Sequence, residues 1–423
     1  MNFSDVSAEQ LDEIDPLRQL RQEFYLRDSI IYLDGNSLGV ASKAAEKALL
    51  SCFEDWKHYG IDGWTQGERP WFFAAETIGK MLAPIVGAKP EEVIATGSIS
   101  VNIHQGLASF FRPEAKRNKI LADSLNFPTD IYAIKSQLKL HGLDEEHHLV
   151  QVASSDGYTL NEQDIIAAMD DDIAVMLLPS VLYCSGQLLD IECLTSEAHK
   201  RGIIVGWDLA HSVGSVPHKL HDWNVDFAVW CNYKYLNGGP GAVGGMFIHE
   251  RHFGREPGLA GWFSSEKTKQ FDMEHHLTAA NNAGAYQIGT SNMFSLAPLY
   301  GALSLYEKTS MAAIRTKSSK QTDFLIYCIE KDLCQFGFKI VTPRELEKRG
   351  GHISIYHPEA ARITKAMKTA GVIPDYRHPG IIRLAPIAFY TSYRDIENAV
   401  QRIQCIMKNR SFEKYQNARD IVA

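Results

Sequence analysis

The sequence predicts an α/β protein with a mostly parallel sheet in a large domain covered by helices, and a smaller C-terminal α/β domain. Three observations carry this. From about Glu91 to Trp230, short apolar runs alternate with stretches of helical periodicity, the pattern of strands buried on both faces. Gly142 and Gly202 stand where two of those helical stretches should stop. From about Leu296 the pattern shifts to two longer helical stretches followed by short strands.

Ser7 and Gln10 have capping-box spacing for a short first helix. Asp15-Pro16 reads as a cap with Pro at the first helical position, and Leu17, Leu20 and Phe24 give the next helix an apolar face. Tyr32 to Gly39 (YLDGNSLG) is rich in turn residues, and helix is expected again over Ser42–Tyr59. Strands are expected at Glu92–Thr96, Lys119–Ala122, Leu149–Val152, Ile173–Leu178, Ile203–Asp208 and Val225–Trp230. Helices are expected between them at Val101–Phe111, Asp130–His141 and Ile191–Arg201. The later helices are Ala297–Ser310, Met311–Gln335, Glu359–Ala370 and Tyr393–Lys408, with strands at Phe338–Val341 and His352–Tyr356. Asp144-Glu145-Glu146 and Asp170-Asp171-Asp172 read as solvated loops. The expected division is 1–60, a helical segment serving the small domain and the active site; 61–300, the large domain; and 301–423, the small one.

At 423 residues, 45% hydrophobic and 22% charged, the chain has the composition of a soluble globular protein. A net charge of −8 gives no electrostatic footprint for nucleic acid. The seven cysteines are scattered and form no CxxC, which speaks for a reducing compartment rather than a disulfide framework or zinc cluster. The N-terminus is polar and acidic, unlike a signal peptide, and no apolar run reaches the roughly 18 residues of a membrane span. A cytoplasmic protein is expected.

The chemistry concentrates between Trp207 and Gly245. One strand ends in Asp208; the next runs into Tyr233-Lys234 and a Gly-rich turn. A crossover between neighbouring parallel strands brings both side chains to one end of the sheet. An Asp to pair with a pyridinium nitrogen and a Lys to form a Schiff base are what pyridoxal phosphate (PLP) requires. Taken alone, an Asp and a Lys are more often a structural ion pair. The small polar loop TGSISVN (Thr96–Asn102) before a helix, NFPTD (Asn126–Asp130) after the next strand and Ser185-Gly186 after another shift the balance. All fall at strand C-termini, where open α/β sheets bind ligands. Gly239–Gly244 (GPGAVG) fits GxGxxG but precedes a strand, and His249-Glu250-Arg251-His252 is one residue short of HExxH. His147-His148 and His275-His276 lack partners at ligand spacing, so no metal site is expected.

YLDGNSLG, GERPW, NFPTDIYAIKSQL, WDLAHSVG, NYKYLNGGPG, Gly261-Trp262-Phe263, Thr290-Ser291-Asn292 and IIRLAPIAFY (Ile381–Tyr390) together resemble the kynureninase family, hydrolases of PLP fold-type I related to class V aminotransferases. The resemblance runs nearly end to end. It implies Lys234 as the Schiff-base lysine and Cα base, Tyr233 touching the phosphate and sharing proton transfers, and Asp208 on the pyridine nitrogen with His211 nearby. Phe127 would stack on the ring with Asp130 near it. Ile99 and Ser100 would hold the phosphate. Trp262 and Asn292 would reach it from a neighbouring subunit, making a homodimer with its sites at the interface. Arg383 would clamp the substrate α-carboxylate, a task suited to a planar guanidinium. The implied reaction is hydrolytic Cβ–Cγ cleavage of L-kynurenine, or of L-3-hydroxykynurenine, to L-alanine and anthranilate or its 3-hydroxy form, without a metal.

The chain departs from the family pattern at Pro179, where Ser or Thr is frequent, at Leu182, where Asn is, and at Ser264-Ser265, where the family has Gly-His. These positions bear on the preferred substrate, including ring-substituted kynurenines. Alternatives are a class V aminotransferase, a desulfurase, for which Cys184 is the nearest thiol, and a scaffold without catalysis.

Overall fold

The computed structural model describes residues 3–420, so the outermost residues of the first and last expected segments lie outside the described residues. The described residues open with a 3-10 turn (Phe3–Asp5) and then α1 (Ala8–Glu13), capped reciprocally by Ser7 and Gln10. The next stretch departs from expectation: Arg18–Glu23 is a 3-10 helix, not an α-helix. Asp15 Oδ1 accepts from Leu17 N, and Lys317 Nζ lies 2.6 Å from Asp15 Oδ2, so a buried ion pair fixes the start of this turn. β1 (Ile31–Tyr32) leads through YLDGNSLG to α2 (Lys43–Tyr59) and α3 (Ala74–Val86). The sequence reading assigned nothing to α3, which carries Gly79 on its buried face and Pro84 on its exposed one.

The main sheet follows in β2 (Val93–Thr96), α4 (Ile99–Phe110), β3 (Lys119–Asp123), α5 (Pro128–Leu140), α6 (Glu145–His148) and β4 (Leu149–Val152). It continues in α7 (Glu162–Ala167), β5 (Ile173–Pro179), α8 (Ile191–His199), β6 (Ile204–Asp208), β7 (Phe227–Cys231) and β8 (Gly244–Ile248). α6 corrects one expected loop: Asp144 caps it by accepting from His147 N, so that charge run starts a short helix. The strand order is β2-β8-β7-β6-β5-β3-β4. β8 alone among them runs antiparallel to its neighbours. Every residue of β5 and β7 is buried, as helices on both faces of a parallel sheet demand.

Beyond lie α9 (Met293–Leu303), shorter and earlier than the expected Ala297–Ser310, and α10 (Met311–Asp332). β9 (Lys339–Ile340), β10 (Ile353–Tyr356), α11 (Ala360–Thr369), β11 (Val372–Ile373), β12 (Asp375–Arg377), β13 (Ile381–Leu384) and α12 (Tyr393–Lys408) follow, with a 3-10 turn at Ser411–Lys414 after them. β12-β13-β10-β9 form an antiparallel sheet, and β11 pairs in parallel with β1. The apolar residues form two clusters, one around the seven-stranded sheet and one beneath the second sheet. The second contains Ile396, Ala399, Val400, Ile403 and Met407 of α12, at helical spacing, and also Ala8, Leu11, Ile31 and Leu33 from the opposite end of the chain. Burial of each large apolar side chain contributes about 1.5–3 kcal/mol, which makes this amphipathic helix a main support of that core.

Candidate active site

The C-terminal ends of β5, β6 and β7, the N-terminus of α4 and the strand β13 converge on one cavity of about 230 Å³. Its walls include Ile99, Ser100, Phe127, Asp208, His211, Tyr233, Lys234 and Arg383. Asp130 does not line the cavity; it is fully buried and meets Asp208. Trp262 and Asn292 do not line this cavity. Trp262 is 46% exposed and donates its indole N–H to Gln270 O, while Asn292 caps α9 by accepting from Ser295 N.

Lys234 follows β7 in a turn held from the N-terminal loop, where Gly39 N donates to Tyr233 O at 2.7 Å. A Cβ at Gly39 would lie 2.4 Å from Lys234 O, so this approach requires glycine. Lys234 Nζ and His211 Nε2 are 2.9 Å apart. Burial, reinforced by the Lys234 charge, pushes His211 well below its ordinary range. The imidazole is therefore neutral, and its Nε2 shares a hydrogen bond with the Lys234 amine. Burial pushes the Tyr233 hydroxyl upward as well.

Asp208 Oδ1 accepts from Ala210 N at 2.7 Å. Burial raises its carboxyl and the lysine charge pulls it back. Burial and then the charge of Asp208 push Asp130 well above the usual carboxylate range. Of two neighbouring buried carboxyls one is driven toward its protonated form unless a cation arrives. Neither oxygen of Asp130 has a hydrogen-bond partner in the protein.

These features fit PLP. Phe127, 39% exposed, lines the cavity with its ring perpendicular to that of Tyr183. The first turn of α4 presents Ile99 and Ser100, with the Ser100 hydroxyl 2.9 Å from that of Thr129, so the helix N-terminus can receive a phosphate. A primary amine, an acid pair poised for a protonated ring nitrogen and an aromatic face complete the requirements.

The cavity also includes Asn36, Ser37, Thr129, Tyr183 and Arg377, to which the sequence reading gave no role. Thr129 lies inside the quoted NFPTD and Asn36-Ser37 inside YLDGNSLG, so a signal existed for these three. Tyr183 and Arg377 had none. Arg383 donates from Nε to Asp375, from Nη1 to Tyr183 O and from Nη2 to Ser37 Oγ. Of the three departures, Pro179 lines the cavity, Leu182 lies in the large core, and Ser264 is buried.

One mixed cluster lies elsewhere. Ligand atoms of Glu92, His221 and His249 fall within 4.8 Å of one another. Glu92 Oε1 already accepts from His221 Nδ1 and Glu250 N, His249 Nδ1 accepts from Arg251 N, and the two rings stack at 13°. Nearly parallel stacked rings cannot both aim an in-plane lone pair at one ion, so the cluster ties the chain before β2 to the end of β8.

The fold is that of class V PLP-dependent enzymes. The cysteine desulfurase of Thermococcus onnurineus NA1 superposes with a TM-score of 0.79 over 92% of this chain and 98% of that one, at 18% identity. The Escherichia coli cysteine desulfurase CsdA does so at 0.75 over 94% and 98%, at 15% identity. Residues 314–403 match the family model described as the kynureninase C-terminal domain. The kynureninases of Geobacillus thermodenitrificans and Shouchella clausii are 58% and 56% identical, each over 98% of this chain and 97% of the relative. The chain belongs to the kynureninase family.

Proposed function

We propose that this protein hydrolyses the Cβ–Cγ bond of L-kynurenine, giving anthranilate and L-alanine, with PLP as cofactor. The observation that carries the reading is the meeting of Lys234, Asp208 and Arg383 around one cavity in a chain of this family. Lys234 holds the cofactor, Asp208 with Asp130 meets its ring nitrogen, Phe127 covers its ring, and Ile99, Ser100, His211 and Tyr233 complete its seat. When bound, the cofactor supplies an electron sink for negative charge developing on the substrate. Arg383 orients the substrate by its α-carboxylate. Lys234 removes the proton at Cα. Tyr233, a hydroxyl that burial keeps protonated, can give a proton as the product leaves. Water adds at the γ-carbonyl carbon, the Cβ–Cγ bond breaks, and protonation at Cβ yields alanine.

L-3-hydroxykynurenine is a second substrate under this reading. A desulfurase would need a nucleophilic thiol, and burial pushes the Cys184 thiol upward, away from the reactive thiolate. An aminotransferase or a scaffold without catalysis would release no anthranilate. The three segments 1–60, 61–300 and 301–423 serve as units of the fold, the first shared between the other two. The protein acts in the cytoplasm as a homodimer, Trp262 and Asn292 reaching the neighbour's phosphate seat. In support, Phe271 and Met273 beside Trp262 are 64% and 73% exposed, and Phe294 beside Asn292 is 42% exposed. No helix among the described residues is long and apolar enough to cross a membrane.

The test is anthranilate fluorescence from PLP-loaded protein and L-kynurenine, with 3-hydroxykynurenine assayed in parallel. Turnover is expected; silence with both compounds, the cofactor being bound, overturns the reading.

A further inference from the structure

Asn36 is the one wall residue of the cavity whose side chain is fully buried yet has both polar atoms, Oδ1 and Nδ2, without a partner in the protein. A buried amide left without hydrogen bonds costs about 1–3 kcal/mol, so it calls for a ligand. The turn that carries it is fixed. Ser37 N and Leu38 N both donate to Asp34 O, and a Cβ at Gly35 would lie 2.4 Å from both Ile387 Cγ1 and Tyr390 Oη.

The groups beside Asn36 define what that ligand is. Ser37 Oγ accepts from Arg383 Nη2 at 3.1 Å. Arg383 uses Nε on Asp375, one Nη1 proton on Tyr183 O and one Nη2 proton on Ser37. Of five guanidinium N–H groups, two remain, while a carboxylate offers about four acceptor positions. The amide next to the guanidinium's serine partner is placed to fill a third.

We propose that Asn36 is a specificity-determining residue that donates its Nδ2–H to the α-carboxylate of the amino-acid substrate, beside the Arg383 guanidinium. This rests on the proposed function for the identity of the substrate, but not for its chemical class: the site reads an α-amino acid with a free carboxylate. The same amide discriminates against a carboxamide, whose NH₂ would meet donors rather than acceptors.

The experiment uses the PLP-loaded protein and Asn36→Leu, which keeps the size and removes the hydrogen bonds, with Asn36→Ser as a second variant should the first fail to fold. Equilibrium binding of L-alanine and of L-alaninamide is followed by the change in the cofactor's visible spectrum, and kcat and KM are measured for L-kynurenine. A hydrogen bond to a charged group corresponds to about a 10- to 100-fold effect. The preference for L-alanine over L-alaninamide is expected to fall by that factor, and kcat/KM for kynurenine likewise, mainly through KM, with cofactor content unchanged. Equal weakening of both ligands, no weakening, or loss of cofactor overturns the proposal. If the wild type leaves kynurenine intact but its preference for L-alanine still depends on Asn36, the proposed reaction fails while this assignment stands.

Discussion

Arg383 Nε donates to Asp375 Oδ2 at 2.5 Å, and the two side chains are 1% and 2% exposed. The same oxygen accepts from Arg377 Nε at 2.9 Å, so one carboxylate aligns both arginines of the cavity. Removing one partner of a buried pair leaves an uncompensated charge and costs about 3–5 kcal/mol. Asp375→Ala is expected to lower the melting temperature and to raise KM for L-kynurenine by about tenfold or more, the effect of losing a charge-assisted hydrogen bond. Asp375→Asn, whose amide oxygen still accepts, should affect KM less. Calorimetry and steady-state kinetics check both, and an unchanged KM in the alanine variant refutes the aligning role.

Lys234→Ala should abolish turnover, since no other primary amine among the described residues lines the cavity. The visible absorption of the bound cofactor should shift or vanish at the same time. Retained activity would displace Lys234 from the centre of the mechanism.

If Asn292 and Trp262 serve the neighbouring subunit, two inactive variants should complement one another. Lys234→Ala and Asn292→Ala proteins, unfolded and refolded together, are expected to regain activity that neither has alone, because a mixed dimer carries one intact site. Absence of complementation in demonstrated mixed dimers argues that each site is built within one chain.

Asp123 Oδ1 accepts from Leu125 N, but Oδ2 is buried without a partner, and burial pushes the carboxyl up to about 7. An acid whose folded value lies above its ordinary 3.8 destabilises the folded state increasingly as pH rises from about 4 to about 7. Asp123→Asn should therefore stabilise the cofactor-free protein by about 1–3 kcal/mol at pH near 8 and change little near pH 4. Melting curves at the two values are the check; an equal shift at both excludes titration of Asp123 as the cause.

Asp226 behaves oppositely. It is buried and accepts from Val205 N, His199 Nε2, His252 Nε2 and Arg251. Burial opposes its ionisation, but these partners outweigh it and hold the carboxyl well below the usual range. Its contribution is present above the ordinary carboxylate value and is lost as pH falls below it. Asp226→Ala should cost about 3–5 kcal/mol at neutral pH, with catalysis unchanged in the protein that remains folded.

Much of this was readable from residue order. The strand–helix alternation located all six strands predicted for the main sheet to within about two residues, because buried strands must be continuously apolar. WDLAH and YKYLN marked Asp208, His211, Tyr233 and Lys234 through the resemblance. What escaped was set by distance in the chain. Arg377 sits on a short hairpin strand with no apolar period, and only its pairing with β13 brings it to the cavity. Tyr183 is another loop residue of this kind. Asn36 looked like a turn residue because turn and ligand-reading roles draw on the same side chain. The 3-10 turn at Arg18–Glu23 was missed because the partner of Asp15 is Lys317, on another helix.

The pairing of β1 with β11 also bears on how the protein is made. Ile31 pairs with Val372, and Ala8, Leu11, Ile31 and Leu33 share a core with residues as late as Phe412. During synthesis, at about 5–20 residues per second, these early apolar side chains leave the ribosome long before their partners exist. The large sheet can form while translation continues, but Asn36 and Ser37 reach their places only when β13 and the segment up to Tyr390 have emerged. A nascent chain stalled before β13 would thus carry its lysine and acid pair in a folded body with the Asn36 turn still adrift, exposing a greasy N-terminal arm to chaperones and proteases.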